Sequence, residues 1–364
     1  MSTIDEYAGH AVHAVAPYIG KLRPSLARQL IVSYSKPGNW IWDPFCGSGT
    51  VPYECRLLSR HTIAADINPY ACTVTRAKLH APASKSTPIY QLLSASMGLQ
   101  RATIKSAGRV PPWVKRFFHK RTLTETIALA REFRAKQQYF NLGCLLGILH
   151  HQRPGFLSYP ASHLVPYLRD RLFPRTQYPE AYAYRDPLPR LWAKISRLLE
   201  NPPPPRSSRF AVFQKSALQC YLPPASIDAV ITSPPYMNAL DYARDNRLRL
   251  WFLGVDDYTE VERSELRRIG SFRRSVLSIM QRLARAIRPG GKCVLVLGDV
   301  SRSARRHDAA EMVREIVADH LEGFNLQDRW TETIPSARRA RRNGAATKTE
   351  TILVFHRAKG GKHA

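Results

Sequence analysis

The feature that most constrains this chain is the octapeptide Asp43-Pro44-Phe45-Cys46-Gly47-Ser48-Gly49-Thr50, set between a short apolar run and a helical pattern. Pro37-Gly38 marks a turn, Asn39–Trp42 reads as a short buried strand, and a helix is predicted from Pro52, a residue suited to a first helical turn. Two glycines one residue apart allow a tight turn and a close approach by a ligand. The spacing is not the dinucleotide pattern, because Pro52 stands where a third glycine belongs. Nor is it a phosphate loop, because no Gly-Lys-Ser/Thr follows. Asp43 at the strand's end suits a cationic or hydrogen-bond-donating ligand instead. HTIAADIN reads as the next strand and carries Asp66, placed where an acid accepts bonds from two ribose hydroxyls. A nucleoside with an amino-acid tail fits both carboxylates.

A second constellation, Thr232-Ser233-Pro234-Pro235-Tyr236, follows the apolar strand Ile227–Ile231. Two prolines stiffen the loop and donate no N–H, which leaves its carbonyls and the Ser233 hydroxyl free to accept bonds from an aryl amino group. Tyr236 offers a flat face on which an extruded base can stack. Catalysis by such a loop is mostly positioning and electrostatics.

Together the two motifs resemble those of the DNA amino-methyltransferases, the N4-cytosine and N6-adenine enzymes. DPFCGSGT is similar to that family's cofactor loop and SPPY to its catalytic loop, while Asp66 matches its ribose-binding acid. HAVAPYIGK (13–21) resembles the strand and loop that close over the methionine end of the cofactor. The resemblance implies S-adenosylmethionine as cofactor, held by Tyr18, Lys21, Asp43, Phe45, Gly47, Ser48, Gly49, Thr50 and Asp66. It implies Ser233, Pro234, Pro235 and Tyr236 as the catalytic set. Family members often place an Asp after the strand preceding the catalytic one, to hold adenine. Here Gln214-Lys215-Ser216-Ala217 stands there, with Ser216 as the candidate substitute. Serine at the head of SPPY is commoner in the N4-cytosine branch, which makes N4 of cytosine the leading target. N6 of adenine, guanine N2 in RNA and a non-catalytic DNA-binding relative are the alternatives. C5-cytosine chemistry is disfavoured, because it needs a nucleophilic Cys after proline and the chain has no Pro-Cys pair.

The fold class implied is α/β, a Rossmann-like doubly wound methyltransferase sheet with a helical insertion. Residues 1–95 form its first part and 207–364 its last. Residues 96–206 break the rhythm with helical patterns, LTETIALAREFRAKQQYF and LPRLWAKISRLL, and end in the stiff run NPPPPR. After 209, RFAVFQKSA and SIDAVIT read as strands, and the segment ending in RLARAIRPGG as a helix closed by Pro-Gly-Gly. KCVLVLGDV reads as a strand, MVREIVADHLEGF as a helix and TETILVFHR as the last strand.

Charge points to the partner. The 364 residues carry 55 Lys+Arg against 28 Asp+Glu, a net charge of +27 spread along the chain, which suits a polyanion such as double-stranded DNA. The stretch 101–206 alone holds 19 Lys+Arg against 6 Asp+Glu. In it, PPWVKRFFHKR interleaves basic and aromatic residues, with Lys115 and Arg116 as candidate phosphate contacts. Arg338, Arg339, Arg341 and Arg342 form a second basic cluster near the C-terminal end. No metal site is expected, since none of the six cysteines pairs in a Cys-x-x-Cys, and reduced, buried thiols are the default. No apolar run approaches the roughly 20 residues of a membrane span, and the polar N-terminus lacks a signal pattern. The expectation is a cytoplasmic protein of prokaryotic, phage or mobile-element origin, with a cognate restriction enzyme as a candidate partner.

Overall fold

The computed structural model describes residues 7–99, 110–150, 156–159, 174–234, 242–262, 269–298, 309–333 and 349–359. Among these lie seven strands: β1 (Trp40–Asp43), β2 (His61–Asp66), β3 (Phe210–Gln214), β4 (Ile227–Thr232), β5 (Ile287–Gly298), β6 (Phe324–Thr333) and β7 (Thr349–Arg357). They form one sheet in the order β3-β2-β1-β4-β5-β7-β6. The neighbours from β3 to β5 run parallel, and β7 is antiparallel to both β5 and β6. The chain builds outward from β1 through β2 to β3, then returns to the other side of β1 with β4. The strand order therefore reverses between β1 and β4, the place where doubly wound sheets bind ligands beyond the carboxyl ends of their strands.

Both faces of the sheet are covered, as a parallel sheet requires. On one face, α1 (Pro24–Tyr34) and α2 (Thr50–Leu57) pack Leu26, Leu30, Ile31 and Val51 against Ile41, Ile231, Val294 and Val354. On the other, α10 (Ile269–Ala286) and α11 (Ala309–His320) pack Met280, Leu283, Val313 and Ile316 against Trp42, Val230, Leu295 and Phe355. Alternate residues of β1 and β5 thus serve opposite layers, the period-2 pattern of a strand.

Between β2 and β3 the chain makes α3 (Pro69–Leu79) and then α4 (Ser86–Ser96), α5 (Pro112–Lys115), α6 (Lys120–Ala135), α7 (Tyr139–Ile148) and α8 (Pro187–Leu198). A third core joins these helices to Val12, Val15, Tyr53, Tyr70 and Val74, and to Leu248, Leu250 and Phe252 of α9 (Arg247–Phe252).

Several elements depart from the sequence reading. The helix predicted from Pro52 begins at Thr50, because Gly49, in the left-handed region at φ 70°, is its N-cap. The pattern LTETIALAREFRAKQQYF is two helices: Gln137 at φ 52° ends α6, and α7 begins at Tyr139. The run IRPGG does not close α10. It opens β5, whose register on β4 shifts between the pairs Ile227↔Ile287 and Ala229↔Lys292. The segment likened to a strand and loop, 13–21, begins inside a 3-10 turn, Ala11–Ala14. β6, FNLQDRWTET, has no counterpart in the sequence reading. It is a polar edge strand with mostly exposed side chains, so it lacks the apolar alternation by which a strand is recognised.

Candidate active site

β1 ends on Asp43, which is only 3% exposed. The chain then turns through Pro44–Ser48 into α2. The Cys46 amide donates to the Ala65 carbonyl at 2.9 Å, and the Gly49 amide to the Cys46 carbonyl at 2.6 Å. Gly47 and Gly49 both adopt positive φ, 45° and 70°. A methyl group added at Gly49 would come within 2.6 Å of Thr75 Oγ1 and 2.8 Å of Thr75 Cα, so this glycine lets the loop lie against α3. At Gly47 the same addition would lie 3.4 Å from Cε1 of Tyr18. The Ser48 and Thr50 hydroxyls, both buried, pair with each other at 2.9 Å.

Asp66 ends β2 beside this loop. Its Oδ2 accepts from the Gly47 amide at 2.9 Å and its Oδ1 from the Asn68 amide at 2.9 Å. Asn68 in turn caps α3 by accepting from the Tyr70 amide at 2.9 Å. The acid thus holds the glycine loop 19 residues upstream, a task that its ribose-binding spacing does not signal. Burial pushes the Asp43 carboxyl up to about 7 and that of Asp66 up to about 6. Two carboxyls at the ends of adjacent strands, both short of compensating charge, form a donor-seeking, cation-seeking surface. Such a surface fits the ammonium and ribose hydroxyls of S-adenosylmethionine.

The second loop starts at the end of β4, which pairs with β1 through Ile41↔Ala229 and Trp42↔Val230. Ser233 and Pro234 are half-buried there, directly after Thr232. Thr232, fully buried, donates its hydroxyl to Asp43 Oδ1 at 2.6 Å. The motif reading assigns Thr232 no task, although a hydroxyl at the end of a wholly buried strand calls for an acceptor. Pro235 and Tyr236 lie outside the described residues.

The other named residues fall as follows. Phe45 is half-buried and packs against the core on the α10 side, its amide donating to Asp43 Oδ1 at 3.3 Å. The Tyr18 ring stacks on Tyr70 with centroids 5.9 Å apart, and the Tyr70 hydroxyl donates to the Pro17 carbonyl at 2.6 Å. Lys21 is exposed. Ser216 opens a turn two residues after β3, its carbonyl accepting from the amides of Gln219 and Cys220. The register Asp66↔Gln214 sets that turn at the same end of the sheet. Lys115 and Arg116 are exposed at the end of α5. Trp113 of α5 lies under the guanidinium of Arg247 at 5.1 Å, and Phe118 meets Phe252 at 5.9 Å, so α5 and the turn after it abut α9. Arg338, Arg339, Arg341 and Arg342 lie outside the described residues. All six cysteines are buried and unpaired. Among the described residues, no three His, Cys, Asp or Glu side chains gather as metal ligands, and no helix is long and apolar enough to cross a membrane.

A second residue missed from sequence is Arg249, in α9. Its Nε donates to the Leu146 carbonyl at 3.2 Å and its Nη2 to the His150 carbonyl at 2.9 Å, at the end of α7. Its guanidinium also lies 5.6 Å from the centre of the Tyr70 ring. The chain after the second loop is thereby fastened to both α7 and the Tyr18–Tyr70 stack.

Comparison with known proteins bears on this site. A family model described as DNA methylase matches residues 17–77, the segment that carries Tyr18, the glycine loop, Asp66 and α3. The Type II methyltransferase M.MjaII of Methanocaldococcus jannaschii is 37% identical over 68 residues, 19% of this chain and 13% of that protein. The match thus spans only a small part of the relative's length. Among solved structures, TrmN from Thermus thermophilus is 11% identical with a TM-score of 0.35, over 93% of this chain and 50% of that one. The rRNA methyltransferase aviRa from Streptomyces viridochromogenes is 14% identical with a TM-score of 0.36, over 98% and 96%. At these values the structural likenesses say nothing about substrate. The segment 17–77, which carries Tyr18, the glycine loop, Asp66 and most of α3, is thus similar to the DNA methylase family.

Proposed function

We propose that this chain is an S-adenosylmethionine-dependent methyltransferase acting on an exocyclic amino group of a base in double-stranded DNA, with N4 of cytosine as the target. The observation that carries the reading is the meeting of two loops at the switch point. One is cradled by Asp43 and Asp66, the other begins at Ser233, and Thr232 bonds across to Asp43. S-adenosylmethionine, when bound, supplies a methyl group made electrophilic by the sulfonium. In this reading Asp66 accepts from the ribose hydroxyls while Asp43 faces the ammonium, and Gly47–Thr50 and Tyr18 line the approach. Phe45, Ser48, Lys21 and Ser216 complete the cofactor set.

A target amino group in a duplex cannot reach this site unless its base leaves the stack. Tyr236 would hold the extruded ring, with Pro235 stiffening the loop. The Ser233 hydroxyl and the Pro234 carbonyl would accept hydrogen bonds from the two amino N–H groups and so direct the nitrogen lone pair at the methyl. The amino nitrogen is the nucleophile, and no covalent bond to the protein forms. Lys115, Arg116 and the cluster Arg338–Arg342 would hold the phosphates. A cognate restriction enzyme would be the counterpart of such a site-specific activity.

Mass spectrometry of nucleosides from duplex DNA incubated with the protein and S-adenosylmethionine tests this. N4-methylcytosine is the expected product. N6-methyladenine alone would replace cytosine with adenine while keeping the amino-methyltransferase reading. Methylated RNA with unmodified DNA would overturn the DNA reading.

A further inference from the structure

Among the described residues, a buried side-chain hydrogen bond joins the two loops. Thr232 is the last residue of β4, whose six residues are all buried, and its hydroxyl lies 2.6 Å from Asp43 Oδ1. A hydroxyl that donates to a carboxylate favours its ionised form. Valine would fill the same volume in a strand rich in β-branched residues, so the hydroxyl serves something other than packing. The bond crosses from the half of the sheet that carries the glycine loop to the half that carries Ser233 and Pro234.

We propose that Thr232 is a positioning residue that ties the two halves of the site together. Its hydroxyl fixes the Asp43 carboxylate for a cationic group and, through the same bond, sets the height of Ser233 and Pro234. This rests on the methyltransferase reading above and adds to it a coupling between cofactor occupancy and the catalytic loop.

The surroundings of Asp43 supply a readout that a merely structural threonine would not move. Burial raises its carboxyl pKa most, and Asp66 on β2 adds to the rise. The Thr232 hydroxyl and the Phe45 amide lower it. The other titratable neighbours are the thiols of Cys46 in the loop and Cys55 on α2, which burial keeps protonated. Without the Thr232 donor, Asp43 must ionise at a higher pH, and a cation that needs the carboxylate binds only above that point.

The test is calorimetric titration of the full chain with S-adenosylmethionine from about pH 5.5 to 8.5, for wild type, Thr232→Val and Thr232→Ser. Valine should weaken binding at neutral pH about tenfold, the equivalent of roughly one lost hydrogen bond to a charged group, and should move the acid limb of binding upward. Serine keeps the donor and should restore both affinity and midpoint. If valine leaves the midpoint where it is in wild type, the positioning role is overturned while the methyltransferase reading stands. If wild type binds no S-adenosylmethionine at any pH, the reading fails and takes the inference with it. Hydrogen exchange of wild-type peptides covering 229–236 needs no variant, so it decides the matter even if Thr232→Val does not fold. The coupling requires slower exchange there once S-adenosylmethionine is bound, and unchanged exchange would overturn it.

Discussion

Asp43 and Asp66 show how one residue type takes on two tasks. Each orders the loops around it, and each is held by burial in a state that favours the proton, with pKa values up to about 7 and about 6 against 3.8 in water. A carboxyl whose folded pKa lies above its unfolded value contributes stability at low pH and loses it as the pH rises through the folded value. In the same range His13, whose pKa is depressed mainly by burial, acts in the opposite sense. The comparison to make is therefore wild type against Asp43→Asn, which removes the charge but keeps an acceptor for Thr232. The difference in unfolding temperature without cofactor should grow in favour of the variant from about pH 5 to about pH 8, as followed by circular dichroism. A constant difference would mean that Asp43 does not titrate in this range. The acids are legible from sequence because each ends a strand beside a glycine loop or at a ribose-binding spacing. The bonds Asp66–Gly47 and Thr232–Asp43 are not, because each joins residues that only the sheet brings together.

The elements are legible wherever a strand or helix has a buried face and a marked end. β7 follows from sequence to the residue, with a run of apolar side chains filling it. Polar β6 carries no such signal. Nor does the break before α7, since that helix is buried all round and its apolar run continues the pattern of α6. The clamp of Arg249 on the end of α7 is equally silent in the sequence. There the guanidinium satisfies carbonyls that a helix end leaves without partners. Arg249→Met should strand the Leu146 and His150 carbonyls in a dry place and cost about 2–4 kcal/mol, measured by chemical denaturation. A loss below about 0.5 kcal/mol would show that water can take the place of the clamp.

At the scale of the whole molecule the dominant fact is the charge of +27. If phosphates are its partner, affinity for duplex DNA should fall linearly on a log–log plot against salt, with a slope of about −0.9 per phosphate neutralised. Replacing Arg338, Arg339, Arg341 and Arg342 together by Gln should flatten that slope by about one for each phosphate no longer neutralised, and leave the preferred sequence unchanged. Fluorescence anisotropy over a salt series measures both, and a flat response in wild type would detach the charge from DNA. The arrangement of the cores has a different implication. Among the described residues, the helices between β2 and β3 share their interior with the sheet's helical layer. Leu123, Phe133, Leu145 and Ile195 share one continuous core with Val12, Val15, Tyr53, Tyr70 and Val74, the layer behind the glycine loop. A graft of this stretch between relatives would carry away half of a jigsaw whose other half stays in the recipient. Exchanging these helices would thus require matching changes at Val12, Val15, Tyr53, Tyr70 and Val74.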